Sequence, residues 1–445
     1  MTAATKPGPG RLALADLHGS LADPLLDAMT FLNEVTSRFP DAISFAPGRP
    51  YEGLFDVHRI PDYLAAYSAY LRGRGWSEER ISAAVFQYGR TNGLIHELIA
   101  ETIENDEGIR VPPDAVVVTV GAQEGMLLAL RALFAGPDDV LLVSSPCYVG
   151  ITGAARLLDI EMVPVPEQPY GPDADTVAAV AARVRAGGRR PRAFYVVPDF
   201  ANPSGASMSV AARQRLLRVA AAEGLVVIED NPYGFFARDA SFRPTLKSLD
   251  TERVVIYLGS FAKTCFPGAR LGYALADQEV STPDGEGTLL ADHLAKIKSM
   301  TTVNTPSLSQ AVIGGLLVSN GCRLRPVNEP TIEFYRRNMR LLLDELDAAL
   351  PPGRRAELGI DWNTPDGGFF VLLTVPFVAD EAAVERSGRE YGVLWTPMSP
   401  FYLDGGGRNQ LRLSCSYVAP DRLVEGVRRL AAFLTDQATS VALGG

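Results

Sequence analysis

Short apolar runs rich in valine, isoleucine and leucine alternate with longer amphipathic segments through the middle of the chain. The short runs predict strands, and apolar residues at helical spacing predict helices. The predicted strands are Val116–Val120, Val140–Val143, Glu161–Val165, Ala193–Val197, Leu225–Glu229 and Val254–Leu258. The predicted helices between them are Gln123–Phe134, Gly150–Leu158, Thr176–Arg185 and Val210–Glu223. This alternation indicates a mostly parallel sheet that helices cover on both faces.

The hydrophobic pattern changes on both sides of this region. Before it, helical spacing occurs at Pro24–Arg38 and Ile95–Asn105. After residue 285 come the helical segments Leu289–Met300, Leu308–Val318 and Glu329–Leu350, the short strands Phe369–Thr374, Gly392–Thr396 and Leu411–Ser414, and the helix Pro420–Leu434. We therefore expect an α/β fold with a large domain over residues 51–320 and a smaller α+β domain over residues 321–445, to which the N-terminal segment 1–50 contributes.

Composition narrows the classes of function. The chain has 445 residues, of which 47% are hydrophobic and 21% charged, as in ordinary soluble enzymes. Acidic residues outnumber basic ones 52 to 42, which argues against binding to a nucleic acid but is compatible with a local basic pocket for a small anion. The four cysteines lie far apart without a Cys/His cluster, so we expect no metal site and no disulfide. Without a secretory signal or a stretch that could span a bilayer, we expect a cytoplasmic protein with no membrane partner.

Lys263 stands just after a predicted strand, with Ser260 three residues before it and Arg270 seven residues after it. A lysine held at an apolar sheet edge has a lowered pKa, which suits it to Schiff-base chemistry. The hydroxyl and the guanidinium on either side are suited to binding a phosphate. A solvated loop lysine beside an unrelated arginine is the alternative interpretation.

Three further motifs follow predicted strands. Asp230 ends an apolar strand and is followed by Tyr233, Asn202 lies in the sequence Asn-Pro-Ser-Gly, and Ala122 and Gln123 lie where a strand runs into a helix. The free N–H groups of such a helix start form an anion site. Turn formation alone would also explain the Glu-Asp-Asn-Pro and Asn-Pro-Ser-Gly sequences. Because parallel sheets bind ligands at the carboxyl ends of their strands, the four motifs together indicate one site.

This combination resembles the class I/II aminotransferases, which are fold type I enzymes that use pyridoxal 5′-phosphate. The resemblance extends from Ile43-Ser44-Phe45 to the region of Arg412. It implies an α/β fold whose large domain holds a mostly parallel seven-stranded sheet sandwiched by helices, beside a smaller α+β domain. It also implies pyridoxal 5′-phosphate as cofactor, an amino acid and a 2-oxo acid as substrates, and a homodimer with shared active sites.

The resemblance further implies roles for single residues. Lys263 is similar to the lysine that forms the Schiff base and moves the proton, Asp230 to the partner of the pyridine N–H, and Tyr233 to a catalytic partner of the ring hydroxyl. The other implied cofactor contacts are Tyr148 on the ring, Asn202 at the ring hydroxyl, and Ala122, Gln123, Ser260 and Arg270 at the phosphate. Tyr88, in Tyr-Gly-Arg-Thr-Asn-Gly, resembles the tyrosine that reaches the phosphate of the neighbouring subunit.

The implied substrate contacts are Arg412, Asn202, Gly48 and Arg49. Arg412 resembles the arginine that binds the substrate α-carboxylate, and a surface arginine on an edge strand is the alternative. Arg49 lies where relatives have a glycine-rich substrate loop, and either it contacts a second carboxylate or it is simply solvated.

Besides Arg49, two further parts of the sequence depart from the family pattern. Ala122 stands where many relatives have a hydroxyl residue, so that it offers only its N–H. Ala262 replaces a serine that is common before the lysine, and Cys265 follows two residues after that lysine.

The expected reaction transfers an amino group between an L-amino acid and a 2-oxo acid through a Schiff base at Lys263. Elimination, replacement, cyclisation or oxidation of an amino acid begins with the same deprotonation on the same scaffold and is the alternative. A transcription regulator with an aminotransferase-like domain is disfavoured by the acidic balance and by the short segment before the helix at 24–38. The amino donor and acceptor stay open.

Overall fold

The computed structural model describes residues 10–239 and 242–443. Its helices are α1 Pro24–Arg38, α2 Ile60–Gly73, α3 Glu78–Phe86, α4 His96–Glu107, α5 Gly121–Leu133, α6 Val149–Leu157, α7 Ala174–Ala186, α8 Val210–Glu223, α9 Leu246–Leu249, α10 Phe261–Thr264, α11 Leu290–Ser299, α12 Ser307–Ser319, α13 Glu329–Ala349, α14 Pro352–Leu358, α15 Glu381–Arg386 and α16 Pro420–Ala442. Its strands are β1 Ile43–Ser44, β2 Val116–Thr119, β3 Asp139–Ser145, β4 Glu161–Gln168, β5 Gly171–Pro172, β6 Arg190–Val196, β7 Val226–Asp230, β8 Val255–Ser260, β9 Gly272–Leu275, β10 Glu279–Ser281, β11 Gly287–Leu289, β12 Asp361–Trp362, β13 Phe370–Thr374, β14 Val393–Leu394, β15 Thr396–Pro397 and β16 Gln410–Ser414.

The large sheet has the strand order β2-β9-β8-β7-β6-β3-β4-β5. The pairs β3–β4, β3–β6, β6–β7 and β7–β8 are parallel, whereas β9 runs antiparallel to both of its neighbours. The predicted fold, with its mostly parallel sheet, is thus confirmed, but the sheet has eight strands where seven were expected. The additional strand is the two-residue β5, which pairs with the end of β4 in a hairpin.

The buried strands explain why the sequence pattern was so clear. Every residue of β2 and β3 is buried, since helices cover both faces of the sheet. Helices α2 and α3 were not predicted, because their buried stripe is narrow and consists of Tyr67, Leu71 and Ile81. Strand β9 was also missed, since it follows β8 without an intervening helix of ordinary length.

A second, antiparallel sheet has the order β12-β13-β16-β15. Its core includes residues of α13 and α16 together with Phe31, Val35, Ile43 and Phe45 from the N-terminal segment. Strand β1 pairs in parallel with β14, which ties that segment to the C-terminal residues. The domain boundaries expected at residues 50 and 320 remain predictions.

Strand ends of the large sheet supply the polar groups of one edge. Asp230 is the last residue of β7, and β8 leads directly into α10, which carries Lys263. Strand β2 leads through Val120 into the start of α5. In the part of the chain that the structure describes, no helix is both long enough and apolar enough to cross a membrane.

Candidate active site

A cavity of about 640 Å³ lies at this edge of the sheet. All but one of the predicted site residues line it, namely Gly48, Arg49, Ala122, Gln123, Tyr148, Asn202, Asp230, Tyr233, Ser260, Lys263, Arg270 and Arg412. Thr36 and Ser37 from α1, Phe401 and Met126 complete part of its wall. Across the two described segments, no group of three or more His, Cys, Asp or Glu side chains is placed to hold a metal ion.

Lys263 extends from α10 toward the N-terminal segment. Its Nζ donates a hydrogen bond to the Gly48 carbonyl at 2.9 Å. Burial, with the positive charge of Arg270 as a smaller cause, lowers the pKa of Lys263 to about 8. The amine therefore reaches its unprotonated, nucleophilic form close to neutral pH.

Asp230 is 3% exposed and has one hydrogen-bond donor. Its Oδ2 accepts from the Tyr195 hydroxyl at 2.7 Å, whereas its buried Oδ1 has no partner among the described residues. Burial raises the pKa of Asp230 to about 6, against the smaller lowering effect of the Tyr195 bond. A buried acceptor without a donor is costly, so this atom is poised to accept a hydrogen bond from a bound molecule.

Tyr233 and Asn202 lie beside Asp230 and share a hydrogen bond. Tyr233 is buried, with Phe369 and Phe370 packed against it at ring-centroid distances of 5.2 and 5.5 Å. Burial raises the pKa of Tyr233, and the hydrogen bond with Asn202 opposes that rise. The phenol consequently stays protonated and able to donate.

Arg412 lies on β16 and is 5% exposed. Its Nη1 donates to Asn202 Oδ1, and its Nη2 donates to the Ala46 carbonyl at 2.9 Å and to Thr396 Oγ1 at 3.2 Å. The guanidinium also lies 4.3 Å from the centroid of the Phe370 ring. Burial lowers the pKa of Arg412 to about 10, so it is charged at neutral pH, and its Nε has no partner among the described atoms.

Backbone and cationic groups meet at the start of α5. Gly121 has φ +73°, and a Cβ there would lie 2.9 Å from Arg270 Nη2, so glycine lets the guanidinium approach the helix start. Ser260 caps α10 by accepting from the Ala262 N–H at 3.2 Å. Free N–H groups, a hydroxyl and a guanidinium together make an anion site.

Tyr148 and Gln123 form the opposite wall. The Gln123 amide donates to the Gly150 carbonyl at 2.7 Å, which links α5 to α6. Tyr148 precedes α6, and burial raises its pKa to about 12. A side chain on Gly150 would clash with both residues, because its Cβ would lie 2.2 Å from the Tyr148 ring and 2.4 Å from Gln123 Oε1.

Two predicted residues lie apart from this cluster. Tyr88 does not line the cavity and is 84% exposed. Arg49 does line it, but half of its side chain is solvent-exposed, 4.1 Å above the Tyr417 ring and 4.0 Å from Glu52. The expected roles of Arg49, contact with a second carboxylate or simple solvation, both remain predictions.

Sequence reasoning missed several contributors. Tyr195 is the last residue but one of β6 and carries no motif of its own, although a buried tyrosine among apolar strand residues signals a hydroxyl in need of a partner. Ala46 acts through its backbone carbonyl, and Thr396 comes from a distant strand. Local patterns carry no signal for contacts of these two kinds.

The family model described as Aminotransferase class I and II matches residues 76–430. The chain belongs to this family. It is 49% identical to the (S)-3,5-dihydroxyphenylglycine transaminase of Amycolatopsis orientalis, a match that covers 96% of this chain and 95% of the relative. This aminotransferase is also similar to the kynurenine aminotransferase of Pyrococcus horikoshii (TM-score 0.78, 26% identity, 93% and 94% of the two chains) and to the alpha-aminoadipate aminotransferase of Thermus thermophilus (TM-score 0.76, 28% identity, 96% and 100%). The structures of those two enzymes hold PMP and a phosphopyridoxyl-leucine, respectively, so the family implies pyridoxal phosphate.

The bond between Tyr195 and Asp230 predicts a pH-dependent loss of stability in Tyr195→Phe. The variant loses a bond to a carboxylate at pH 8 but a bond to a neutral acid at pH 5, because the pKa of Asp230 is about 6. We expect the free energy of unfolding, from urea titration of the cofactor-free protein, to fall by about 1.5–3 kcal/mol at pH 8 and by about 0.5–1.5 kcal/mol at pH 5. The sign follows from linkage: loss of the donor raises the pKa of folded Asp230 further, which penalises the folded state as pH rises.

Tyr391→Phe is the matched control, since the Tyr391 hydroxyl donates to Asp436 at 2.6 Å on the surface. Its stability should change little at either pH. An equal loss at pH 5 and pH 8 in Tyr195→Phe would show that Asp230 does not titrate in this range.

Proposed function

We propose that this aminotransferase uses pyridoxal 5′-phosphate, held by the predicted residues, to move an amino group between an aromatic L-amino acid and a 2-oxo acid. The observation that carries the proposal is the convergence of Lys263, Asp230 and Arg412 on one cavity. A nucleophilic amine, a carboxylate with a free acceptor atom and a buried guanidinium are the groups that this reaction needs. The three residues lie on three different elements, so it is the fold that brings them together.

The polar groups of the cavity fit the cofactor. Asp230 Oδ1 is a buried acceptor without a donor, which a protonated pyridine nitrogen would satisfy. Asn202 and Tyr233 are suited to its ring hydroxyl, and Tyr148 to its ring face. At the other end, the α5 start at Ala122 and Gln123, together with Ser260 and Arg270, is suited to its phosphate. When bound, the cofactor supplies an electron sink for the electron pair left on the substrate α-carbon.

Lys263 has two proposed tasks that depend on its lowered pKa. Its Nζ would hold the cofactor covalently, and as a free amine it would take the proton from the substrate α-carbon. A base works best when its pKa lies near the working pH, and burial brings the pKa of Lys263 to about 8. Asp230, kept ionised by the positive ring nitrogen, holds the proton on that nitrogen.

Arg412 is the proposed anchor of the substrate α-carboxylate. Its guanidinium group is held by hydrogen bonds to Asn202, the Ala46 carbonyl and Thr396. Its charge lies in a region from which water is largely excluded. A planar guanidinium binds a carboxylate with defined direction, so it orients the α-carbon toward Lys263.

An aromatic side chain is the proposed specificity. The relative at 49% identity is named for a dihydroxyphenylglycine, and the cavity here is lined by Tyr148 and Phe401 with Arg49 at its half-exposed side. One face of the Arg49 guanidinium lies over the Tyr417 ring, and the side chain is half exposed, which supports an aromatic substrate contact on the other face. Arg49 and the Gly48 backbone are therefore the proposed contacts of the substrate beyond its α-carbon.

Product analysis tests the reaction type. The protein, supplied with pyridoxal 5′-phosphate, is given (S)-3,5-dihydroxyphenylglycine, phenylalanine, leucine or 2-aminoadipate, each with and without 2-oxoglutarate. We expect 2-oxo acid and glutamate in equal amounts, only when 2-oxoglutarate is present, and faster turnover with the two aromatic donors. Lys263→Ala should abolish turnover, while Lys296→Ala, at an exposed lysine on α11, should not.

Sustained product formation without 2-oxoglutarate would indicate elimination or oxidation in place of transamination. Borohydride reduction followed by peptide mass spectrometry should find the cofactor on Lys263. A label on another lysine would remove Lys263 from its proposed role.

Arg412→Lys keeps the charge but loses the planar fork. We expect binding of the amino acid to weaken by about 1.5–3 kcal/mol, the range for a hydrogen bond to a charged group. The absorption spectrum of the bound cofactor without substrate should stay unchanged, because Arg412 is assigned to the substrate. Titration of that spectrum with amino acid measures the affinity, and single-turnover kinetics measures the accompanying loss of rate.

Arg408→Lys serves as the control, since Arg408 is exposed just before the same strand. Unaltered affinity and rate in Arg412→Lys would move the carboxylate site elsewhere, with Arg49 as the first candidate.

A homodimer is the proposed assembly, with Tyr88 contributing to the partner's site. Phe86 is 79% and Leu308 55% exposed, and they flank Tyr88 where Ser307 Oγ donates to the Gln87 carbonyl. Exposed apolar residues grouped around Tyr88 favour cover by a second copy of the chain. We also propose a cytoplasmic location, in keeping with four unpaired cysteines.

Tyr88→Phe tests whether the Tyr88 hydroxyl contacts the phosphate in the partner's site or lies in solvent. If the partner's phosphate accepts from Tyr88, the variant should bind pyridoxal 5′-phosphate about tenfold or more weakly, as expected for loss of a hydrogen bond to a charged group. Equilibrium dialysis measures the affinity and sedimentation measures the assembly. Tyr170→Phe, at a tyrosine that is 78% exposed elsewhere, should leave the affinity unaltered. An unaltered affinity in both variants would leave Tyr88 in solvent.

A further inference from the structure

The turn after β7 carries both Asp230 and Tyr233, and the side chain of Asn231 fastens it. Asn231 Oδ1 accepts from the Gly234 N–H at 3.1 Å, which closes the turn around Tyr233. Its Nδ2 donates to Glu107 Oε2 at 3.3 Å and to the Tyr257 hydroxyl at 3.1 Å. The orientation of Asn231 therefore depends on what lies on the far side of the turn from the cavity.

Glu107 is the acceptor on that far side. It is the last residue of α4 and is 9% exposed, although no cation among the described residues pairs directly with its charge. The Tyr257 hydroxyl donates to the same Oε2 at 2.5 Å, so one carboxylate oxygen receives donors from β8 and from the turn. Neither hydrogen bond takes part in the proposed reaction. The donor Asn231 is next to Asp230 in the chain, and the donor Tyr257 lies on β8, which leads to Lys263.

We propose that Glu107 is a positioning residue of this aminotransferase, which holds the turn carrying Asp230 and Tyr233 in place through Asn231. The proposal rests on the roles assigned above to Asp230 and Tyr233. An ionised Glu107 accepts from Asn231 and Tyr257 together, and these bonds keep the Asn231 amide turned so that its oxygen closes the turn. Protonation makes this carboxyl a donor and a weaker acceptor, which loosens the hold on Asn231.

The surroundings of Glu107 place this change near neutral pH. Burial is the main cause that raises its pKa to about 7, and the negative charge of Asp106 on the same helix adds to the rise. The Tyr257 and Asn231 hydrogen bonds and the positive charge of Arg325, which lies over the Phe235 ring, oppose it. From β9, Tyr273 faces the pair with a phenol whose pKa is also raised, so it stays neutral. The turn is thus held firmly above this pH and less firmly below it.

A small cavity gives the carboxyl group room to change its contacts. It measures about 30 Å³ and is lined by Glu107, Asn231, Ser260 and Tyr273, among others. A space of this size accommodates one water molecule between polar partners. Ser260 and Pro232 line both this cavity and the large one, so the two cavities adjoin at the turn.

Glu107→Gln in the cofactor-loaded enzyme tests the proposal. The amide still accepts from Tyr257 but cannot ionise, so we expect kcat at pH 8 to fall about fivefold, as for a charge-assisted bond replaced by a neutral one, with KM within about twofold. The part of the kcat profile that titrates near pH 7 should disappear. The absorption of the bound cofactor, recorded against pH without substrate, should lose its transition near pH 7 as well. This second measurement reports on the site independently of activity.

Tyr257→Phe supplies the second arm. It removes the stronger donor to ionised Glu107 and leaves the carboxyl in place. The transition near pH 7 in both profiles should therefore move to higher pH. Glu104→Gln is the control on the same helix, because Glu104 pairs with Arg110 on the surface and should leave both profiles unchanged. Titrations of Asp230 and Lys263 occur in all variants and cancel in the comparison.

The outcomes are separable. A step that stays at the same pH in Glu107→Gln, or that does not shift in Tyr257→Phe, overturns the positioning role even when the wild type is an active transaminase. A uniform loss of kcat at every pH means that Glu107 only stabilises the core, and it overturns the proposal too. Should Glu107→Gln fail to fold, Tyr257→Phe decides alone. Absence of transamination in the wild type instead removes the proposed function.

Discussion

Two oppositely charged groups are buried in the same cavity without being paired to each other, and the rest of the site depends on this. Lys263 Nζ bonds to a backbone carbonyl and Asp230 to a phenol. A direct ion pair would have lowered the pKa of the acid and raised that of the amine, leaving both inert near neutral pH. Burial without pairing instead brings the pKa of Lys263 to about 8 and that of Asp230 to about 6. The cost is an unsatisfied acceptor, Asp230 Oδ1, which a ligand with a matching donor removes.

Fully paired charges outside the cavity keep its walls rigid. Lys298 and Glu124 form a buried pair at 2.7 Å, and Glu124 also accepts from the Val120 N–H, which fixes the turn into α5. Arg213 and Asp199 form a two-bond pair that is almost fully buried, three residues before Asn202. Removing one partner of such a pair leaves an uncompensated charge, so these loops cannot shift without a large penalty.

The fold was predictable wherever a buried strand produced a continuous apolar run. The fold was less predictable where a strand depends on pairing between distant residues. Strand β1 pairs with β14, and β9 lies between β2 and β8. The same division holds for the site. Lys263, Asp230 and Asn202 follow strands and carry local motifs, whereas Tyr195 contributes through a contact 35 residues away and Ala46 through its carbonyl. Tyr88 is recognisable only by resemblance, since its predicted partner belongs to another copy of the chain.

The segment from Ala46 to Gly48 connects the two cationic groups of the proposed reaction. Its Ala46 carbonyl accepts from Arg412 and its Gly48 carbonyl from Lys263, so one short stretch of backbone is hydrogen-bonded to both cations. A Cβ on Gly48 would lie 2.7 Å from the Phe370 ring, which keeps the segment pressed against β13. In the proposed reaction, Lys263 would have to leave the Gly48 carbonyl to reach a substrate, whereas Arg412 could bind a carboxylate with its bond to Ala46 intact. The N-terminal segment is therefore part of the site, because α1, which precedes it, also contributes Thr36 and Ser37 to the cavity wall.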